Sequence, residues 1–283
     1  MAWYTQYADI FGLPFDSIPK ETIQKIRNNL NCFKSEHPIA SVVVIAHNEE
    51  STLASCLWSL SENICDFPVE IIGVNNNSTD RTSEVFDALG VKWFWEEQKS
   101  CGYARQCGLD NAKGKYYISI DSDILYPPLY IKTMVEYLSR PGTVAVSSRY
   151  GYIPNETHPK SSLKIYEFFR DRHIWLQSFK RPEMSVRGGV FAYILELGRK
   201  VRYRVEIKTG EDGSMALGLK KFGKIKLISK RKSRAMTFTR TLDAKGSLYT
   251  NLRLAVIKYL KSPSRYFVKK EKYDDVPSNL IDV

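Results

Sequence analysis

Residues 41–48, SVVVIAHN, form a continuous β-branched run that breaks abruptly into polar residues, and VEIIGVNNNSTD (69–80) repeats the change. Two further runs, VKWFW (91–95) and YYISID (116–121), complete a set of four strands, of which SVVVIAHN reads as a buried parallel strand. Between them the period changes. EESTLASCLWSLSEN places Leu53, Leu57 and Leu60 at helical spacing, DRTSEVFDALG reads as a helix ending at Gly90, and SCGYARQCGLDNAKG reads as one closed by Gly114. Strands alternating with helices at this spacing predict an α/β fold with a mostly parallel central sheet, right-handed crossovers and flanking helices. Residues 1–38, with the stretch PKETIQKIRNNL, form an N-terminal helical arm placed before that core.

In parallel sheets ligands gather at the carboxyl ends of the strands. Three of those ends are polar here: His47-Asn48-Glu49-Glu50, Asn75 to Asp80, and Asp121-Ser122-Asp123. Asn, Asp and Ser are also what any strand-to-helix loop requires for turns and caps, so each end alone has two readings. The third is the sharpest. Two carboxylates two residues apart, followed by a turn through Pro127 and Pro128, repel one another unless a cation sits beside them. The expected guest is a hard divalent ion, Mn²⁺ or Mg²⁺, completed by water and phosphate oxygens. A metal held in that way carries a nucleotide diphosphate and neutralises its charge as it departs.

The 283 residues suit one large domain, and 43% apolar with 26% charged residues is a globular balance. No run of eighteen apolar residues occurs, and Asp9 and Asp16 interrupt the first apolar stretch, so neither a spanning helix nor a secretory signal is expected and the expected location is cytoplasmic. The five cysteines are odd in number and contain no CxxC, which excludes a disulfide framework and a zinc site. Charge changes the picture more. Of a net +11, the stretch from Lys220 to Lys272 supplies seventeen Lys or Arg against Asp243 and Glu271. Such a stretch either faces an anionic partner, including the inner face of a membrane, or is a solvated face with no partner.

Five blocks, SVVVIAHNEESTLASCLWSL, EIIGVNNNSTDRT, GYARQCGLDNAKGKYYISIDSDILYPP, RGGVFAYI and TGEDGSMALGLKKFG, resemble in order and spacing the inverting family 2 glycosyltransferases of the GT-A fold. The resemblance covers roughly residues 40 to 240. It implies a GT-A domain over 39–240, with a nucleotide-binding half (39–125) and an acceptor half (126–240), followed by a basic C-terminal extension over 241–283. It also implies transfer from a nucleotide-diphosphate sugar to a glycan, polysaccharide or lipid-linked acceptor, as in polysaccharide and cell-envelope synthesis. By the same resemblance Ala46, His47, Asn48 and Glu49 open onto base and ribose, with Asn77 and Ser78 on the neighbouring loop. Asn75 stands where the family usually has a base-contacting aspartate, a departure that puts a uracil preference in doubt because an amide donates as well as accepts. Arg105 helps hold the nucleotide or its phosphates, Asp121 and Ser122 line the ribose and metal, and Asp123 is the direct metal ligand.

In TGEDGSMALGLKKFG, Glu211 and Asp212 open a helix, where acidic residues serve equally as caps. The resemblance makes Asp212 the general base, with Glu211 beside it. Arg187, Gly188 and Gly189 line the junction of donor sugar and acceptor, or else form a glycine-rich turn with a solvated arginine. The basic, aromatic stretch 148–183 reads as an acceptor-facing insertion, in which Tyr166, Phe169, His173 and Trp175 are expected first as core on one helix. No histidine follows Asp212, so a downstream histidine ligand is absent and the metal relies on Asp123, the diphosphate and water.

Three other classes compete. An aspartyl-nucleophile phosphatase continues its Asp-x-Asp with a small hydroxyl residue, whereas Ile124 and Leu125 follow here. Nucleotidyltransferases open with a glycine-rich basic loop, and AHNEES has no glycine. A nucleic-acid module rests on net charge alone and leaves the acidic strand ends unexplained, so nucleic acid is not an expected partner.

Overall fold

The computed structural model describes residues 2–207 and 209–243, except the side chains of Thr241 and Asp243. The N-terminal arm contains α1 (Thr5–Ala8) and α2 (Lys20–Leu30). Then come β1 (Ala40–Ala46), α3 (Glu50–Ser61), β2 (Val69–Asn75), α4 (Thr82–Leu89), β3 (Lys92–Trp95), α5 (Cys101–Asn111) and β4 (Tyr116–Asp121). The second half runs β5 (Ile124–Leu125), α6 (Tyr130–Leu138), β6 (Thr143–Ser148), β7 (Tyr150–Tyr152), α7 (Lys160–Lys180), β8 (Phe191–Ile194) and α8 (Leu195–Val201). It closes with α9 (Glu211–Leu219), β9 (Lys224–Ile228), β10 (Ala235–Thr237) and α10 (Arg240–Asp243).

Seven strands form one sheet in the order β3-β2-β1-β4-β8-β6-β9, in which only β8 runs antiparallel to its neighbours. The α/β expectation of a mostly parallel sheet flanked by helices therefore holds. Every residue of β1 and β2 is buried, which is why both are largely apolar; the polar pair Ser41 and Glu70 is hydrogen-bonded, Ser41 Oγ donating to Glu70 Oε1. Alternation is still present across the sheet. Val42 and Val44 join one core cluster with α3, α4 and α6, while Val43 and Ile45 join another with α5, α8 and α9. Ile10, Ile18, Ile26, Leu30 and Phe33 of the arm belong to the first cluster, so the arm packs on the sheet's helical layer.

Two expectations need correction. Gly114 does not close α5, whose cap is Ala112. Its role is close approach: a Cβ there would lie 2.8 Å from backbone atoms of Ala40 and Ser41, where the chain turns into β4 beside β1. The aromatics of α7 are not buried core, although Tyr166 packs against the small cluster of Tyr152, Leu163 and Leu242. Tyr166, His173 and Trp175 are partly exposed and Phe169 is 51% exposed, because the helix turns its polar face inward.

Among the described residues no helix is long and apolar enough to cross a membrane. Of the basic C-terminal extension, residues from 244 onward lie outside the described residues.

Candidate active site

Parallel pairing brings the polar strand ends level. Ala46 stands opposite Asn75, and Ile45 opposite Asp121, so the loops after β1, β2 and β4 open at one edge of the sheet. The first two loops are tied to each other. Asn48, in a left-handed conformation at φ 54°, accepts a hydrogen bond from Thr79 N–H at 2.7 Å and donates its own N–H to Ser78 Oγ at 3.0 Å. His47 Nδ1 lies 2.6 Å from the carbonyl of Asn76, so that nitrogen carries the proton. Asn75 is buried and its side-chain oxygen accepts from Ser78 N–H at 3.0 Å, which leaves its amide N–H groups as what it can present to a ligand. Asn77, also left-handed, donates to the carbonyl of Glu97 at 2.7 Å.

The centre of the site is Arg105, on α5 and 3% exposed. Its Nη2 donates to Asp121 Oδ1 at 2.8 Å and its Nη1 to Ser119 Oγ at 2.6 Å. Its Nε lies 3.0 Å from Asp212 Oδ1 and 3.9 Å from Glu211 Oε1. One guanidinium thus joins the end of β4 to the first turn of α9. The contact with Asp212 is ionic rather than a hydrogen bond, since among the described residues neither Arg105 Nε nor Asp212 Oδ1 has a hydrogen-bond partner. A buried carboxylate oxygen without a donor keeps its lone pair for a proton.

Gly188 and Gly189 form the roof. A Cβ on Gly188 would sit 2.0 Å from Arg105 Nη2 and 2.4 Å from Asp212 Oδ2, and one on Gly189 would sit 2.5 Å from Asp121 Oδ2. No other residue fits at either place without dismantling the network. Tyr126 fixes the roof to the floor by donating to the Gly189 carbonyl at 2.7 Å while its hydroxyl accepts from Asp121 N–H at 3.3 Å. Arg187 is exposed, with hydrogen bonds from Nη1 to the carbonyls of Met184 and Val186.

The site is rich in carboxylates. Burial, then the charges of Asp121 and Glu49, push Asp123 up to about 7. Burial also raises Asp212, against the pull of Arg105 and with the push of Glu211. Ser122 is buried between Asp121 and Asp123. Among the described residues no three His, Cys, Asp or Glu side chains converge as a closed metal cage. A metal here would need ligands from outside the protein, and the surplus of negative charge around Asp123 suits a divalent ion with a diphosphate.

Sequence reasoning placed Arg105, Asp121, Asp212, Gly188 and Gly189 separately, and the fold brings them into contact. It missed Ser119, Tyr126 and Arg240. Arg240 Nη1 lies 3.9 Å from Glu49 Oε2 and its charge also lowers Asp123, yet in the sequence it is one cation in a basic run. Tyr126 could have been noticed only as the residue before the two prolines.

The family model described as Glycosyl transferase family 2 matches residues 41–196. Glycosyltransferase GlyA of Streptococcus pneumoniae is 31% identical over 190 residues, 61% of this chain and 27% of that protein. The chain spans about a third of the length of the curated relatives it matches. Among solved structures, a mannosyltransferase from Pyrobaculum calidifontis in complex with GDP-Man and Mn²⁺ is 17% identical, covers 83% of this chain and 68% of its own, and gives a TM-score of 0.55. Glucosyl-3-phosphoglycerate synthase from Mycobacterium tuberculosis, in complex with Mn²⁺, UDP-glucose and phosphoglyceric acid, is 20% identical, with 93% and 95% coverage and a TM-score of 0.53. At these identities the likeness concerns the fold, which is that of the GT-A glycosyltransferases.

Proposed function

The chain belongs to glycosyl transferase family 2, and from that membership we propose that it moves a sugar, with inversion, from a nucleoside-diphosphate sugar to an acceptor hydroxyl of a glycan, polysaccharide or lipid-linked saccharide. The observation that carries this reading is the meeting of Asp121, Glu211 and Asp212 on one buried arginine, at the strand edge where burial and the charges of Asp121 and Glu49 raise Asp123 against the weaker pull of Arg240. Solved relatives of the same fold hold Mn²⁺ with a nucleotide sugar, which supports donor and metal alike.

Asp123, with Asp121, would hold Mn²⁺ or Mg²⁺, and the ion supplies charge neutralisation on the leaving diphosphate. The loops carrying Ala46, His47, Asn48, Glu49, Asn75, Asn77 and Ser78 would hold base and ribose. Asp212 accepts the acceptor's hydroxyl proton as the oxygen bonds to the anomeric carbon and the bond from that carbon to the diphosphate oxygen breaks. Arg105 keeps Asp212 and Asp121 in register, and Arg187 with the Gly188–Gly189 roof borders the sugar. One displacement needs no enzymatic nucleophile, hence the inversion.

A panel of nucleoside-diphosphate sugars with Mn²⁺ tests the proposal by release of free nucleoside diphosphate, and proton NMR of the product reads its anomeric configuration. Turnover of one donor with an inverted product is expected. Retention at the anomeric carbon, or no release from any donor, would sink the reading.

A further inference from the structure

Helix α7 is folded inside out. Ile165, Phe168, Phe169, Arg172, Leu176 and Phe179 recur at steps of three and four residues and so share one face, and that face is exposed. Phe168 and Phe179 are each 63% exposed and Ile165 58%. The opposite face carries the polar residues. Glu167 and Asp171 each lie 2.9 Å from Arg234, Asp171 is 3.7 Å from Arg149, and Arg170 donates to the carbonyl of Tyr150, with Leu163, Ile174 and Gln177 buried among them. A helix that turns its carboxylates inward and its phenylalanines outward leaves an apolar stripe that a free protein gains nothing by showing to water.

The rim says what covers it. Lys164, Arg172 and Lys180 are exposed on or beside the stripe, and Arg172 stacks on Trp175 at 4.7 Å. The only carboxylates of the helix, Glu167 and Asp171, are the two turned inward. An apolar strip whose exposed charges on the helix are all cationic complements a bilayer with anionic headgroups, where aromatic and aliphatic side chains enter the boundary and lysines and arginines stay at the phosphates. We propose that the exposed face of α7 is a docking surface for an anionic membrane. The helix leads through Pro182–Ser185 directly into Arg187 and the Gly188–Gly189 roof, so docking sets that side of the site beside the lipid surface.

The test sediments the full chain with phosphatidylcholine vesicles, with and without phosphatidylglycerol. Wild type should pellet with the phosphatidylglycerol vesicles alone, and less as salt rises. Phe168→Ser with Phe179→Ser, both outward-facing, should weaken binding about tenfold or more with an unchanged circular dichroism melt. Charge reversal by Lys164→Glu should cost about fivefold or more. Wild type remaining in the supernatant would overturn the proposal. So would a double serine variant that binds as tightly as wild type, because binding would then belong to other cations. A wild-type dimer that becomes monomeric in the serine variant, without vesicle binding, would assign the face to a second copy of the chain. None of these readouts involves sugar transfer, so failure here leaves the proposed function standing.

Discussion

Arg105 is where the residue-level account is most exposed to test, since it decides what Asp212 can do. Taken alone, Asp212 beside a guanidinium would be an ordinary low-pKa carboxylate. Burial outweighs that pull and raises it, with Glu211 adding to the rise. A base works only when deprotonated, so activity is lost as pH falls through the raised value rather than through the ordinary aspartate range of about 4. With donor and divalent cation saturating, kcat should fall tenfold per pH unit on an acid limb whose midpoint lies above that range. A flat kcat from pH 8 down to pH 5 would contradict Asp212 as the base. The residue types were legible from sequence: an Asp-x-Asp after a strand, two acids opening a helix, paired glycines. Their contacts were not, because the pivot is Arg105, which the sequence assigns to nucleotide or phosphate and which the fold sets on Asp121 and Asp212.

Among the elements, β1, β2 and β4 were legible because burial on both faces leaves them largely apolar, apart from Ser41, Glu70, Ser119 and the polar residues at their carboxyl ends. The small sheet of β5, β10 and β7 was not: its strands are two or three residues long and pair across more than eighty positions of sequence. Local periodicity carries no signal for such pairing. The aromatics of α7 were misplaced for a related reason. Helical spacing finds a stripe but not which side faces the core, and here the ion pairs of Glu167 and Asp171 took the inside. Gly114 shows the same limit at a turn, since a glycine after a helix reads as a cap when it serves a backbone contact with β1. Replacing it by alanine puts a Cβ against backbone that cannot swing away. Gly114→Ala should therefore destabilise the chain by about 1–3 kcal/mol, seen as a lower urea midpoint at unchanged slope. An unchanged midpoint would mean the loop relaxes freely.

For the whole molecule, the sheet order places one acidic edge where β1, β2 and β4 end, and Arg105 ties Asp121 at that edge to Glu211 and Asp212 of α9. The basic stretch from Lys220 to Lys272 lies only in part within the described residues, so membrane docking is argued from α7 instead. The central claim divides labour at that edge: Asp123 serves metal and donor, Asp212 serves the proton. Calorimetric titration of the nucleoside-diphosphate donor in Mn²⁺, paired with turnover for Asp123→Asn and Asp212→Asn, separates the two most directly. Asp123→Asn should lose Mn²⁺-dependent donor binding, and turnover with it by roughly a hundredfold or more. Asp212→Asn should bind donor within a few-fold of wild type while turnover falls by about the same factor or more. Donor binding that needs Asp212 but not Asp123, or turnover that survives Asp212→Asn, would contradict the account.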